Sequence, residues 1–183
     1  MGESQANYLD VFPGWLRSLG DDAEKLSGLI TVERLPEAAR QSIAGGLNYL
    51  FKSLDLVPDG IDDIGYLDDA FVLRVASDHA LREDVSALAP EQLRGINRLA
   101  EEAHIVQQFL GKEFARFDAY VTGLRKAAAR GRSIQDILHD DKAQTAFLSD
   151  VRGFARAYES PTFGREEKNL VKLRAFFDAK LPK

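Results

Sequence analysis

Apolar positions recur along most of this chain at steps of three and four, the spacing of one face of an α-helix. Sustained period-two alternation is absent, so strands are not expected. Tyr8, Leu9, Phe12, Trp15, Leu16 and Leu19 mark a first helix over about residues 4–18. Pro13-Gly14 is expected to break or kink it, because proline lacks the amide proton that the helix ladder needs. A short helix over about 21–30 then opens at Asp21 or Asp22. Leu35-Pro36-Glu37 opens the next helix, since proline fits a first turn whose amides have no helical partner. Ile43, Leu47, Leu50, Phe51 and Leu54 give it one broad apolar face to about Ser53. Gly45-Gly46 lies inside this helix at a cost of about 1 kcal/mol per glycine relative to alanine, which close approach of another helix would offset. Val57-Pro58-Asp59-Gly60 suits a type I turn in a loop over 55–65, and a further helix runs from about Leu67 to Arg82.

Pro90 opens the longest apolar stripe, which runs through Leu93, Ile96, Leu99, Ala103, Val106, Leu110, Phe114, Phe117, Val121 and Leu124. It predicts a single helix to Arg130, about 60 Å long, with a bend near Gly111 and a left-handed cap at Gly131. Ser133 caps a short helix to Leu138, Asp140 or Asp141 caps another to Tyr158, and a last one covers about 164–181. The expectation is an all-α fold: one domain over 1–183 with six to eight helices, a buried helical hairpin at 36–76 and a helical remainder at 90–183.

Composition refines this picture. The 183 residues carry a net charge of −5 and no cysteine, which removes disulfides, thiolate metal sites and cysteine nucleophiles, and no nucleic-acid partner is expected. The charge is unevenly spread. Residues 1–90 hold 16 acidic and 7 basic side chains, a net −9, whereas residues 91–183 hold 13 and 17, a net +4. The first twenty residues have neither a basic start nor an apolar run, so no signal peptide is expected. Asn48, Lys52 and Asp55 interrupt the apolar run Ile43–Val57, and Asp68, Asp69 and Arg74 interrupt Ile64–Ala76, so neither spans a bilayer. A cytoplasmic location is expected.

Six aspartates fall within residues 55–69: Asp55, Asp59, Asp62, Asp63, Asp68 and Asp69. No lysine or arginine lies between Ser53 and Leu73. Strongly apolar neighbours (Leu54, Leu56, Val57, Ile61, Ile64, Leu67, Phe71) make this a turn between buried helices, with carboxylates at the helix ends. The preferred reading of the six is helix capping, at about 1 kcal/mol each. A second reading makes them ligands for Mg²⁺ or Ca²⁺, which seek about six to eight oxygens, although the spacing is not that of an EF-hand. A third makes them a docking surface for a basic partner or for the chain's own basic half.

Tyr49-Leu50, Asp55-Leu56-Val57-Pro58-Asp59, Gly65-Tyr66-Leu67-Asp68-Asp69 and Val72-Leu73 together resemble the signature of the YkvA-like family, domain of unknown function 1232, over roughly residues 36–76. The resemblance implies a helical hairpin and a bacterial origin, and it carries no established activity. Gly60 stands where that pattern commonly has a bulky residue and Asp62 where it commonly has proline. Both departures make the loop more flexible and more acidic, which argues against a membrane-facing role.

Other chemistry is sparse. No nucleophile elbow, Walker loop or dinucleotide fingerprint is present, and no catalytic residue is assigned. His79, His104 and His139 read as surface or helix-end residues. Arg125, Lys126, Arg130 and Arg132 read as cations complementing the end of the long helix, with a phosphate or acidic-partner contact as the alternative. Phe109, Phe114, Phe117 and Tyr120 read as core; if exposed, they would make the long helix a partner surface. The leading functional expectation is a non-enzymatic cytoplasmic module for protein association, with a homodimer through the long helix as one arrangement. The alternatives are a metal-binding protein or metal-dependent enzyme using the acidic turn, and a peripheral membrane module.

Overall fold

The computed structural model describes residues 3–61 and 63–183. Helix α1 runs unbroken over Glu3–Ser27 with Pro13 inside it, followed by a 3₁₀ turn at Gly28–Thr31. The expected break at Pro13-Gly14 does not occur. Phe12, Trp15, Leu16 and Leu19 are all buried on one stripe across the proline. Burying such side chains is worth about 1.5–3 kcal/mol each, enough together to outweigh the ~3 kcal/mol proline penalty. The expected caps Asp21 and Asp22 therefore lie inside the helix. Asp22 is buried, accepts a bond from Ser18 Oγ at 2.7 Å and pairs with Arg98.

Helices α2 (Glu37–Tyr49) and α3 (Leu67–Ala80) form the expected hairpin. Both glycines of α2 are sites of close approach. A Cβ on Gly46 would sit 2.8 Å from the Ala76 Cβ of α3, and one on Gly45 would sit 3.0 Å from the Leu124 carbonyl. Of the residues of α3, all but Asp78 are buried. Arg74 is among them, with its guanidinium 3.9 Å from the Trp15 ring centre, 2.8 Å from Glu102 and 4.0 Å from Asp22. Phe71 stacks on Phe177 with ring centres 5.4 Å apart and meets Phe12 and Phe109 edge-on or tilted, so α3 is the axis of the core.

The single long helix of the sequence reading is two helices: α4 (Pro90–Leu110) and α5 (Phe114–Gly123). Gly111 adopts φ +54°, which turns the expected bend into a break through a 3₁₀ turn. A second 3₁₀ turn, Leu124–Lys126, ends the segment, and the chain enters a two-stranded hairpin, β1 (Ala128–Ala129) and β2 (Arg132–Ser133). Arg130 and Gly131 both have positive φ, 51° and 74°, as a two-residue hairpin turn requires, so Gly131 closes a hairpin and not a helix. The hairpin changes the reading of the basic cluster: Arg130 and Arg132 reach Asp150 at 3.4 and 2.5 Å and lie over the Phe51 and Phe147 rings.

Helices α6 (Ile134–His139), α7 (Asp141–Ala157) and α8 (Glu167–Lys180) complete the chain. Ser133 and Asp140 cap α6 and α7 through side-chain bonds to the Asp136 and Ala143 amides. The fold is all-α around one hydrophobic core, with eight α-helices and one small hairpin among the described residues. Among those residues no helix is long and apolar enough to cross a membrane. Phe109 and Phe117 are buried, and Phe114 and Tyr120 are half-buried, so this aromatic face belongs to the core.

Candidate functional site

The loop between α2 and α3 folds tightly on itself. Ile61 N–H bonds to Pro58 carbonyl at 3.1 Å, one residue later than the turn expected at Val57–Gly60, and Gly65 N–H reaches Ile61 carbonyl at 2.7 Å. A Cβ at Gly65 would collide with the Asp59 carbonyl and lie 2.9 Å from that of Ile61, so only glycine fits. Tyr66 follows at φ +67°, an unfavourable conformation for a tyrosine. Its ring packs edge-on against Tyr158, with centres 5.3 Å apart, and against Phe154. This packing holds the backbone in place and aims Asp68 and Asp69 inward at the start of α3.

Both carboxylates are buried. Asp68 Oδ2 accepts bonds from the Tyr49 hydroxyl and from the Val57 amide at 3.0 Å. The Tyr49 oxygen in turn accepts from the Leu56 amide at 2.7 Å. The end of α2, the loop backbone and the start of α3 are thus joined by three bonds around one carboxylate. Asp68 and Asp69 sit in the first turn of α3, as expected of acids at a helix start, but neither caps it by a side-chain bond. Tyr66 occupies the position before the helix, no side chain caps α3, and Asp68 instead accepts from the Val57 amide of the loop and the Tyr49 hydroxyl.

The site is short of positive charge. Burial pushes the Asp69 carboxyl well above the usual range, reinforced by Asp68, Asp59 and Asp55. Burial also raises Asp68, opposed by the bonds from Tyr49 and Val57. Asp55, half-buried and facing Asp59 and Asp68, is pushed up to about 7 despite Lys52 nearby. Burial and the adjoining carboxylates keep the Tyr49 hydroxyl protonated. One oxygen of each buried aspartate, Asp68 Oδ1 and Asp69 Oδ2, has no hydrogen-bond partner.

The six aspartates do not form one cluster. Asp68 and Asp69 are buried, Asp55 is half-buried and Asp59 is exposed, and the four feel one another electrostatically. Asp63 is half-buried near Gly164 and acts on Lys168. Asp62 lies outside the described residues. Among the described residues, no three His, Asp or Glu side chains converge as ion ligands.

Two residues carry roles that the apolar pattern and the aspartate run do not disclose. Tyr49 is the keystone of the hydrogen-bond chain; its signal in the sequence was a tyrosine at a helix end before an aspartate-rich turn. Leu54, expected on the buried face of α2, is 82% exposed at the loop tip, because α2 ends at Tyr49 and carries it no further. The histidines also divide. His79 lies in the last turn of α3, a helix end as expected, but is buried, with Nε2 2.7 Å from Asp118, while His104 and His139 are exposed.

Neither a curated protein nor a solved structure matches the chain. One family model does: residues 39–74, which take in most of α2, the acidic loop and the first half of α3, are similar to the family described as protein of unknown function (DUF1232).

Proposed function

We propose that the protein is a non-enzymatic helical module that associates with a basic partner through the tip of the α2–α3 loop. The observation that carries this reading is Leu54, 82% exposed on a stretch where the charges that follow it, Asp55, Asp59 and Asp63, are acidic, while Lys52 before it is bonded to the Tyr120 hydroxyl at 3.0 Å. An isolated apolar side chain beside carboxylates suits a partner segment with one apolar anchor flanked by lysine or arginine. The bonds among Tyr49, Leu56, Val57 and Asp68 anchor the loop, so little ordering entropy opposes docking. Burying Leu54 contributes about 1.5–3 kcal/mol, and each exposed ion pair up to about 1 kcal/mol, so the association is weak, salt-sensitive and transient. A cytoplasmic bacterial setting fits the absence of cysteine and the family resemblance.

The test is a photo-reactive residue at position 54, compared with one at Val171, the other strongly exposed large apolar position at 63%. Cross-linking in cells from position 54 is expected to give a discrete product that is lost in Asp55→Lys/Asp59→Lys and weakened by salt. Equal yields from positions 54 and 171 would refute the reading.

A second reading rests on the orphaned oxygens Asp68 Oδ1 and Asp69 Oδ2: a divalent cation, Mg²⁺ or Ca²⁺, would neutralise this buried pair. Calorimetric titration with either ion should then give saturable heat that vanishes in Asp69→Asn; an absence of heat ends this reading.

A further inference from the structure

We infer that the 3₁₀ turn Leu124–Lys126, together with the start of α6 and the middle of α2, forms a binding site for a small phosphate-bearing anion. A cavity of about 450 Å³ lies there, lined by Gln41, Thr122, Arg125, Lys126, Ser133 and Gln135. Its size falls within the ~300–1,000 Å³ range of small-molecule sites. No carboxylate lines it, in a protein whose net charge is −5. Its two cations are uncommitted. Among the described residues, Arg125 and Lys126 make no ion pair, and the shielded Nε of Arg125 has no hydrogen-bond partner. Arg130 and Arg132, a few residues on, are by contrast paired with Asp150.

The backbone holds the first cation in position. The Gly45 Cα lies so close to the turn that a Cβ would stand 3.0 Å from the Leu124 carbonyl oxygen and 3.2 Å from the Arg125 amide nitrogen. Arg125 is thereby seated against α2, half-buried, at the floor of the cavity, with Lys126 exposed at its rim. The other groups are neutral donors. Gln41 spends one amide proton on Glu37 at 3.2 Å and retains a second. Ser133 Oγ accepts from the Asp136 amide and shares its own proton with the Asp136 carboxylate, from which a more highly charged anion can draw it. Two acids flank the cavity without lining it: Glu37, bonded to His139 at 3.1 Å and to Gln41, and Asp136, bonded to the Ser133 amide at 2.9 Å. A guanidinium and an ammonium without ion-pair partners, beside neutral donors and with no carboxylate in the lining, match a phosphate dianion better than a monoanionic carboxylate.

The experiment is a calorimetric and NMR titration of the full chain with inorganic phosphate, with glycerol phosphate and with chloride at matched ionic strength. Saturable binding of both phosphates but not chloride is expected. Equal affinities identify the phosphate group as the whole ligand; tighter binding of the ester places an organic moiety in the cavity. Arg125→Gln should weaken binding by about tenfold or more. Gln135→Glu, on an exposed residue that the fold tolerates, should do the same by placing a carboxylate in the site, whereas Lys172→Gln on α8 should change nothing. Absence of saturation, an equal response to chloride, or parental affinity in Gln135→Glu would overturn the proposal.

Discussion

Replacing Tyr49 with phenylalanine removes one oxygen and leaves the ring, its edge-on contact with Tyr120 at 6.2 Å and the volume it fills. That oxygen serves two partners. Leu56 N–H loses its acceptor in a buried setting, which costs about 1–3 kcal/mol. Asp68 loses a charge-assisted bond worth about 1.5–3 kcal/mol and keeps that from Val57. The two losses overlap because the loop relaxes once for both, so the expected total is about 3–4 kcal/mol. For a chain of this length that corresponds to a fall in Tm of roughly 6–16 °C. The pH dependence discriminates further. The tyrosine bond lowers the Asp68 pKa against the burial that raises it, so folded Tyr49→Phe retains its proton to higher pH than the folded parent. Between the two folded pKa values the variant binds more protons, and its deficit therefore grows as pH rises. Urea unfolding followed by circular dichroism near about pH 5 and about pH 8 should show the larger gap at the higher pH. A loss under about 0.5 kcal/mol, or a gap that widens towards acid, would refute the assignment of Tyr49 as the keystone of the loop.

Asp69→Asn tests the buried pair from the other side. The folded pKa of Asp69 is raised, so its contribution to stability is complete below the unfolded value of about 3.9 and declines as pH rises towards the folded one; the asparagine variant should exceed the parent in Tm at about pH 8 and converge with it near about pH 4. Gly46→Ala should lose about 1–3 kcal/mol in differential scanning calorimetry, because the new methyl group meets Ala76, while Gly123→Ala, with open space around its Cβ position, should be neutral or gain up to about 1 kcal/mol. Arg74→Ala should cost about 3–5 kcal/mol in chemical denaturation, since Asp22 and Glu102 lose a buried partner, and should alter the fluorescence of Trp15, the sole tryptophan.

What the sequence disclosed follows the range of the interactions involved. The caps Ser133 and Asp140 act on amides three residues away, and both were legible, as was the hairpin between Pro36 and Arg82. The break that Pro13 predicts does not form, because its local penalty is offset by side chains that meet α3 and α4 only in the folded state. Gly111 was expected to bend a helix and breaks it, since its positive φ is not encoded in the apolar spacing that continues through it. At the site, a run of aspartates signalled an unusual turn correctly. The partners of Asp68 are 11 and 19 residues away, beyond any capping motif, so its role was hidden. The same holds for Arg132, whose carboxylate partner is 18 residues distant.

Helix α3 is enclosed on nearly every side, with α1, α2, α4 and α8 around it. A helix buried on nearly every face, with Asp68, Asp69 and Arg74 among its enclosed side chains, is not stable alone in water. The segment 39–74 is therefore a structural kernel and not a portable unit. Excised from this chain it would aggregate, and grafted elsewhere it would need a host that wraps it as completely. Proteins that share this kernel must each supply their own casing, so resemblance in the segment passes on a folding pattern while leaving the outer surface, where partners are met, free to differ from one host to the next.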